Sequence, residues 1–128
     1  MIPRIYSPHV YSIFRAVAGF MFIFHGLQKL FGMYAGNVGE FGTQRWVAGV
    51  LELGLGGLVM IGLFTTVAAF LASGEMAVAY FQSHQPRGPL PIENGGELAA
   101  LYCFAFLFIA SYGAGPWSID ALRGGKKR

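Results

Sequence analysis

Long apolar stretches separated by short polar or glycine-rich breaks dominate the chain. From Val10 to Phe31 apolar and small residues run almost without interruption until Gly32. Comparable stretches follow at Trp46–Leu63, Thr65–Ser83 and Asn94–Tyr112, and Gly113-Ala114-Gly115-Pro116 stops the last. Each approaches the roughly 20 residues that a helix needs to cross the hydrocarbon of a bilayer. The pattern predicts an all-α, polytopic integral membrane protein. Its architecture is an antiparallel four-helix transmembrane bundle, one domain over residues 1–128, with a tail at 117–128. The Gly62–Thr65 link is so short that the second and third spans must form a tight hairpin. Ala16-Val17-Ala18 imitates a signal cleavage site, yet no apolar region precedes it.

Aromatic side chains mark the expected boundaries. Tyr6, Tyr11, Phe64, Tyr112 and Trp117 fall toward one interface, and Phe31, Tyr34, Phe41, Trp46 and Tyr80 toward the other. Amphipathic rings collect at both surfaces of a bilayer. Four spans place both termini and the Gly62–Thr65 turn on one side, with Arg4, Arg15, Arg123, Lys126, Lys127 and Arg128. Lys29, Arg45 and Arg87 lie on the other side. By the positive-inside rule both termini are expected in the cytoplasm. Glycines in span two (Gly49, Gly54, Gly56, Gly57, Gly62) and the repeat Ala69, Ser73, Ala77 in span three predict close helix packing.

Composition supports the membrane reading. The chain is 55% hydrophobic and 12% charged, with a mean hydropathy of +0.53, against about 25% charged residues in a typical soluble domain. The net charge of +3 is too small to suggest nucleic acid. The basic end Gly124–Arg128 reads as a topology signal or a juxtamembrane cluster for anionic head groups. Cys103 is alone in an apolar run, which excludes an intrachain disulfide and a paired-thiol relay.

Against that apolar background, Arg15, His25, Lys29, Glu52, Glu75 and Glu97 sit inside or at the ends of spans. A charge at mid-bilayer costs about 2.5–3.5 kcal/mol on insertion scales, so such residues pair or line a cavity. At about 100° per residue, Arg15, His25 and Lys29 share one helix face. A rise of about 1.5 Å per residue brings His25 and Glu52 to similar depths, with Glu75 nearer the middle and Lys29 just above, so the three are candidates to meet. These residues can move protons or hydrogen-bond the carbonyls of a quinone. Equally, they can form an ion-paired core that fixes helix register. A metal site has no supporting spacing. Asn94-Gly95-Gly96-Glu97 has the spacing of a capping box, with pairing of Glu97 to Lys29 as the alternative. An Arg15–Asp120 salt bridge is expected to tether the segment after Pro116. The loop 84–94, with Pro86, Pro89 and Pro91, cannot be helical throughout and suits a lid or a docking surface. His84 within it reads as solvated or interfacial.

Taken together, these residues resemble the DoxX family of small bacterial membrane proteins. The resemblance rests on Arg15, Gly19 and Phe24-His25-Gly26-Leu27-Gln28-Lys29-Leu30-Phe31-Gly32 in span one. Glu52-Leu53, Gly56-Gly57 and Gly62 follow in span two, then Gly95-Gly96-Glu97 and the tail Gly113–Asp120. It implies a four-helix protein of the inner membrane related to the small membrane subunit of thiosulfate:quinone oxidoreductase, or to assemblies that handle thiol and oxidative stress. Gln85–Pro91 lies outside that signature. The expectation is a membrane subunit of a redox assembly, with protein partner subunits or further copies of itself. It has no intrinsic cofactor, and a quinone is the candidate ligand at His25, Glu52, Glu75 and Lys29. A non-catalytic scaffold subunit and a small proton-coupled transporter are the alternatives.

Overall fold

The computed structural model describes residues 1–124; the basic end 125–128, which carries most of the expected head-group cluster, lies outside the described residues. The described residues are helical, with no strand among them. Helix α1 spans Ser7–Phe31, α2 Gln44–Ile61, α3 Thr65–Ala79, α4 Pro91–Asn94, α5 Glu97–Tyr112 and α6 Ile119–Gly124. The first helix starts earlier than the apolar run because Pro8 occupies its first turn, where a missing N–H costs nothing. Helix α3 continues without a break into a π-helical turn, Tyr80–His84. The expected fourth span starts late, since Gly95 (φ 75°) separates α4 from α5.

Among the described residues two helices are long and apolar enough to cross a membrane, Arg4–Phe31 and Gln44–Ile61, and Glu97–Tyr112 is a shorter apolar one. Their outward faces are hydrophobic. Val17, Phe20 and Met21 on α1, Val67, Phe70 and Leu71 on α3, and Leu101, Phe104 and Phe108 on α5 are all exposed. So extensive an apolar surface is unstable in water and suits a lipid environment.

The helices associate in pairs, α1 with α2 and α3 with α5, and α2 and α3 join the pairs. Glycines set the first contact. A Cβ on Gly19 would lie 2.5 Å from the Met60 nitrogen, and one on Gly26 would lie 2.6 Å from the Leu53 nitrogen. Gly49 and Gly56 answer from α2 at the same spacing of seven residues, two helical turns. Backbones therefore touch at two levels, as small residues allow where no hydrophobic effect draws helices together. The second pair packs Ala68, Ala69, Ala72 and Met76 of α3 toward α5, with Phe22, Tyr102 and Phe106 filling the centre.

The end of the molecule that carries the termini is closed by polar contacts. Arg15, only 2% exposed, donates from Nε to the Val59 carbonyl (2.9 Å) and from Nη2 to the Met60 (3.3 Å) and Trp117 (2.9 Å) carbonyls. Its Nη1 donates to Ala114. Val59 and Met60 belong to the last turn of α2, whose carbonyls lack helical partners and carry the negative end of its dipole.

The expected Arg15–Asp120 salt bridge does not form. Asp120 instead accepts the Phe64 and Thr65 amides, both at 2.9 Å, and so caps α3 from 55 residues away. That cap is needed because the short link leaves no local one. Gly62 ends α2 in the left-handed region (φ 73°) and Phe64 follows at φ 50°, strained for a residue with a Cβ. Burial pushes the Asp120 carboxyl up, but the amides of Thr65 and Phe64 and the Arg123 guanidinium bring it below the usual aspartate range.

The capping box is also corrected. Asn94 ends α4, and α5 begins at Glu97 with Gly96 at its N-cap and no side-chain cap. Asn94 is 1% exposed and organises the loop. Its Nδ2 donates to the Tyr80 hydroxyl and the Gly88 carbonyl, both at 3.0 Å, and its Oδ1 accepts the Gly96 amide at 2.8 Å. Glu97 is exposed and forms no salt bridge among the described residues, so its alternative pairing with Lys29 is absent too.

Candidate functional site

The close approach of α1 and α2 brings Lys29 to Glu52. Gly49 packs under the Lys29 side chain, and the Lys29 Nζ donates to Glu52 Oε1 at 2.8 Å. Glu52 is 1% exposed and Lys29 20%, so the ammonium reaches toward the surface while the carboxylate is enclosed. Glu52 is thus neutralised where it sits, as a charge in a low-dielectric interior requires.

Helix α3 supplies the second carboxyl. Glu75 is a direct neighbour of Glu52, and its Oε1 is buried without a hydrogen-bond partner. One lysine therefore faces two carboxyls. His25, on α1 one turn before Lys29, lies against the ring of Tyr102 in an edge-to-face contact at 5.8 Å. His25, Glu52, Glu75 and Lys29 line a single cavity of about 1010 Å³.

Tyr102 was not among the expected residues. It lies on α5, 6% exposed, and stacks on Phe106 at 5.6 Å and against Phe22 at 5.3 Å. Those rings hold its orientation, yet its hydroxyl is buried with no partner. A buried tyrosine hydroxyl usually finds one, and a buried unpaired polar group costs about 1–3 kcal/mol. Two such atoms, the Tyr102 hydroxyl and Glu75 Oε1, belong to residues that line the same cavity. The sequence carried a faint signal: Tyr102 is the sole hydroxyl between Glu97 and Ser111 in α5.

The cavity runs along the seam between α2 and α3. At the loop end Gln44, Arg45, Gln82, Ser83 and His84 form its rim, and Gln44 donates from Nε2 to Gln82 Oε1 across the seam. His84 sits on the π-helical turn, a feature often found at functional sites. Of the loop 84–94, His84 lines the cavity. No cluster of three or more His, Cys, Asp or Glu able to hold a metal occurs among the described residues. Arg15 and Asp120 lie at the opposite end, away from the cavity-lining residues.

Comparison with known proteins adds the following. The DoxX family model matches residues 10–85, which include His25, Lys29, Glu52 and Glu75 and leave out Tyr102. A protein of Haemophilus influenzae described as uncharacterized is 43% identical over 122 residues, covering 90% of this chain and 91% of its own. No solved structure matches the chain.

Proposed function

On the premise that this chain belongs to the DoxX family, we propose that it is the membrane subunit of a redox assembly whose cavity receives a quinone head group. One observation carries the reading. Glu75 Oε1 and the Tyr102 hydroxyl are buried and unpaired, on two residues that line a common cavity beside the Lys29–Glu52 pair. A head group with two carbonyl oxygens satisfies such atoms. The Tyr102 hydroxyl donates to one oxygen, and Glu75 in its protonated form donates to the other and can release that proton during reduction. Glu52, held by Lys29, positions Glu75 as its neighbour, and His25 supports the Tyr102 ring. The sequence has no flavin, haem or iron–sulfur motif, so electrons come from a partner subunit.

In this reading the single domain crosses the inner membrane four times, with both termini cytoplasmic. Support comes from the exposed apolar faces of α1, α3 and α5 and from Arg4, Arg15 and Arg123 at the end carrying the termini. Phe41 packs on Trp46 at 4.6 Å at one end, and Tyr11 on Tyr112 at 4.2 Å at the other, as interfacial aromatics do.

The test is mass spectrometry of the protein purified gently from its native membrane, scanning for bound quinone and partner proteins together. Stoichiometric quinone, lost in Glu75→Gln and in His25→Ala, is the expected result. Partner proteins with no quinone would replace this reading by a scaffold subunit. The Asn94-centred loop favours that second reading, since it presents a firmly held surface.

A further inference from the structure

The cavity is larger than a single-ring head group needs, at the upper end of the roughly 300–1,000 Å³ typical of ligand pockets. Its polar residues fall in two groups, Glu52, Glu75, His25, Lys29 and Tyr102 within it and Gln44, Arg45, Gln82, Ser83 and His84 at the loop end. The front wall is apolar. Val47 and Leu51 of α2 and Phe70, Leu71 and Val78 of α3 line the cavity and are also exposed on the outside, from 38% for Leu51 to 61% for Phe70. These side chains face both the cavity and the surroundings of the protein, so the cavity opens sideways between α2 and α3. Gly74, on that front, has nothing within 4 Å of where a Cβ would be.

We infer that the ligand enters from the lipid through the α2–α3 seam and is an amphiphile, its polar ring on Tyr102 and Glu75 and its hydrocarbon tail lying out between Leu51 and Leu71. This rests on the quinone reading for the chemistry of the head and adds the tail and its route. At the loop end the Gln44–Gln82 hydrogen bond spans the seam. The seam has no corresponding polar clasp at the level of Glu75, where Gly74 leaves the α3 side open. Because lipid tails are as apolar as these side chains, the groove contributes little affinity. It provides access and orientation, and the unpaired polar atoms provide the binding.

The experiment uses the full chain in lipid nanodiscs with a 1,4-benzoquinone bearing a decyl chain that ends in a diazirine. A control probe has the same chain and no quinone. After illumination, adducts are mapped by mass spectrometry. The expected result is enrichment of the quinone probe over the control, by about tenfold or more, the equivalent of about 1.4 kcal/mol of preference, at Leu51, Phe70, Leu71 and Val78. The control should label Val17, Phe20 and Phe104 as readily as the seam. Tyr102→Phe should reduce the enrichment, and Gly74→Leu, which has room for its side chain, should abolish it by filling the opening. If both probes label alike while a tail-less benzoquinone still competes for the cavity, side entry is overturned and the quinone reading survives. If the tail-less quinone does not compete either, both fall together.

Discussion

Two buried polar groups occupy opposite ends of the molecule, and they differ in what they border. At the end carrying the termini, Arg15 delivers its protons to four backbone carbonyls and Asp120 receives two amides, while Thr65 Oγ1 and His9 Nδ1 are buried without partners. In the other group Lys29 and Glu52 satisfy one another, and Glu75 Oε1 and the Tyr102 hydroxyl are left without partners. Neither burial nor completeness separates architecture from site, since both groups bury charge and both keep unpaired atoms. Surroundings do: Glu75 and Tyr102 line a cavity, and Thr65 and His9 do not.

The comparison can be broken by removing a member of the first group. Arg15→Met leaves carbonyls of α2 and of the segment after α5 without donors in a buried place. A loss of about 4 kcal/mol or more is expected, read as a collapse in folded yield and thermal midpoint in detergent. Next comes Lys29→Met, which strands the Glu52 carboxylate. Lys29 is 20% exposed, so the cost should sit near the low end of the range for breaking a buried pair, about 3 kcal/mol, and Glu52→Leu in the same protein should restore most of it.

Asp120→Ala removes the cap from α3 and should cost about 0.5–2 kcal/mol. Its pH dependence has a definite sign. Because the folded carboxyl titrates below the ordinary aspartate range, the contribution is present above the unfolded value near pH 4. It fades as pH falls through the folded value. Thermal midpoints of wild type and D120A should therefore converge in acid, and parallel curves would discard the capping role. Tyr102→Phe is the one variant expected not to lower the midpoint, and should raise it, since it deletes a buried hydroxyl that bonds to nothing and costs about 1–3 kcal/mol. The same variant should weaken head-group binding, measured by quinone competition. A large loss of stability there would show that Tyr102 belongs with Arg15.

Much of the helical layout was readable because apolar length and glycine breaks are local signals. The meeting of Glu52 and Glu75 was readable as well, since depth along a helix follows from counting residues. What escaped were choices between partners. Asp120 had an arginine nearby in expectation, but two uncapped amides at Phe64 and Thr65 claimed it, a demand created only when the short link forces Phe64 into the left-handed region. Asn94 and Glu97 had the spacing of a capping box, yet the turn at Gly95 took Asn94 out of α5 and made it the centre of the loop. Tyr102 escaped because nothing in an apolar helix announces which aromatic ring ends in an unpaired hydroxyl.

The Asp120 cap also bears on how the chain is made. Synthesis delivers the N-terminal part first, so the α2–α3 hairpin enters the membrane while the residue that caps it is still unmade. Until Asp120 arrives, the amides of Phe64 and Thr65 have no carboxylate to hold them. The hairpin is then closed by the last helix of the described chain. A chain that ends before Asp120 would leave the turn uncapped.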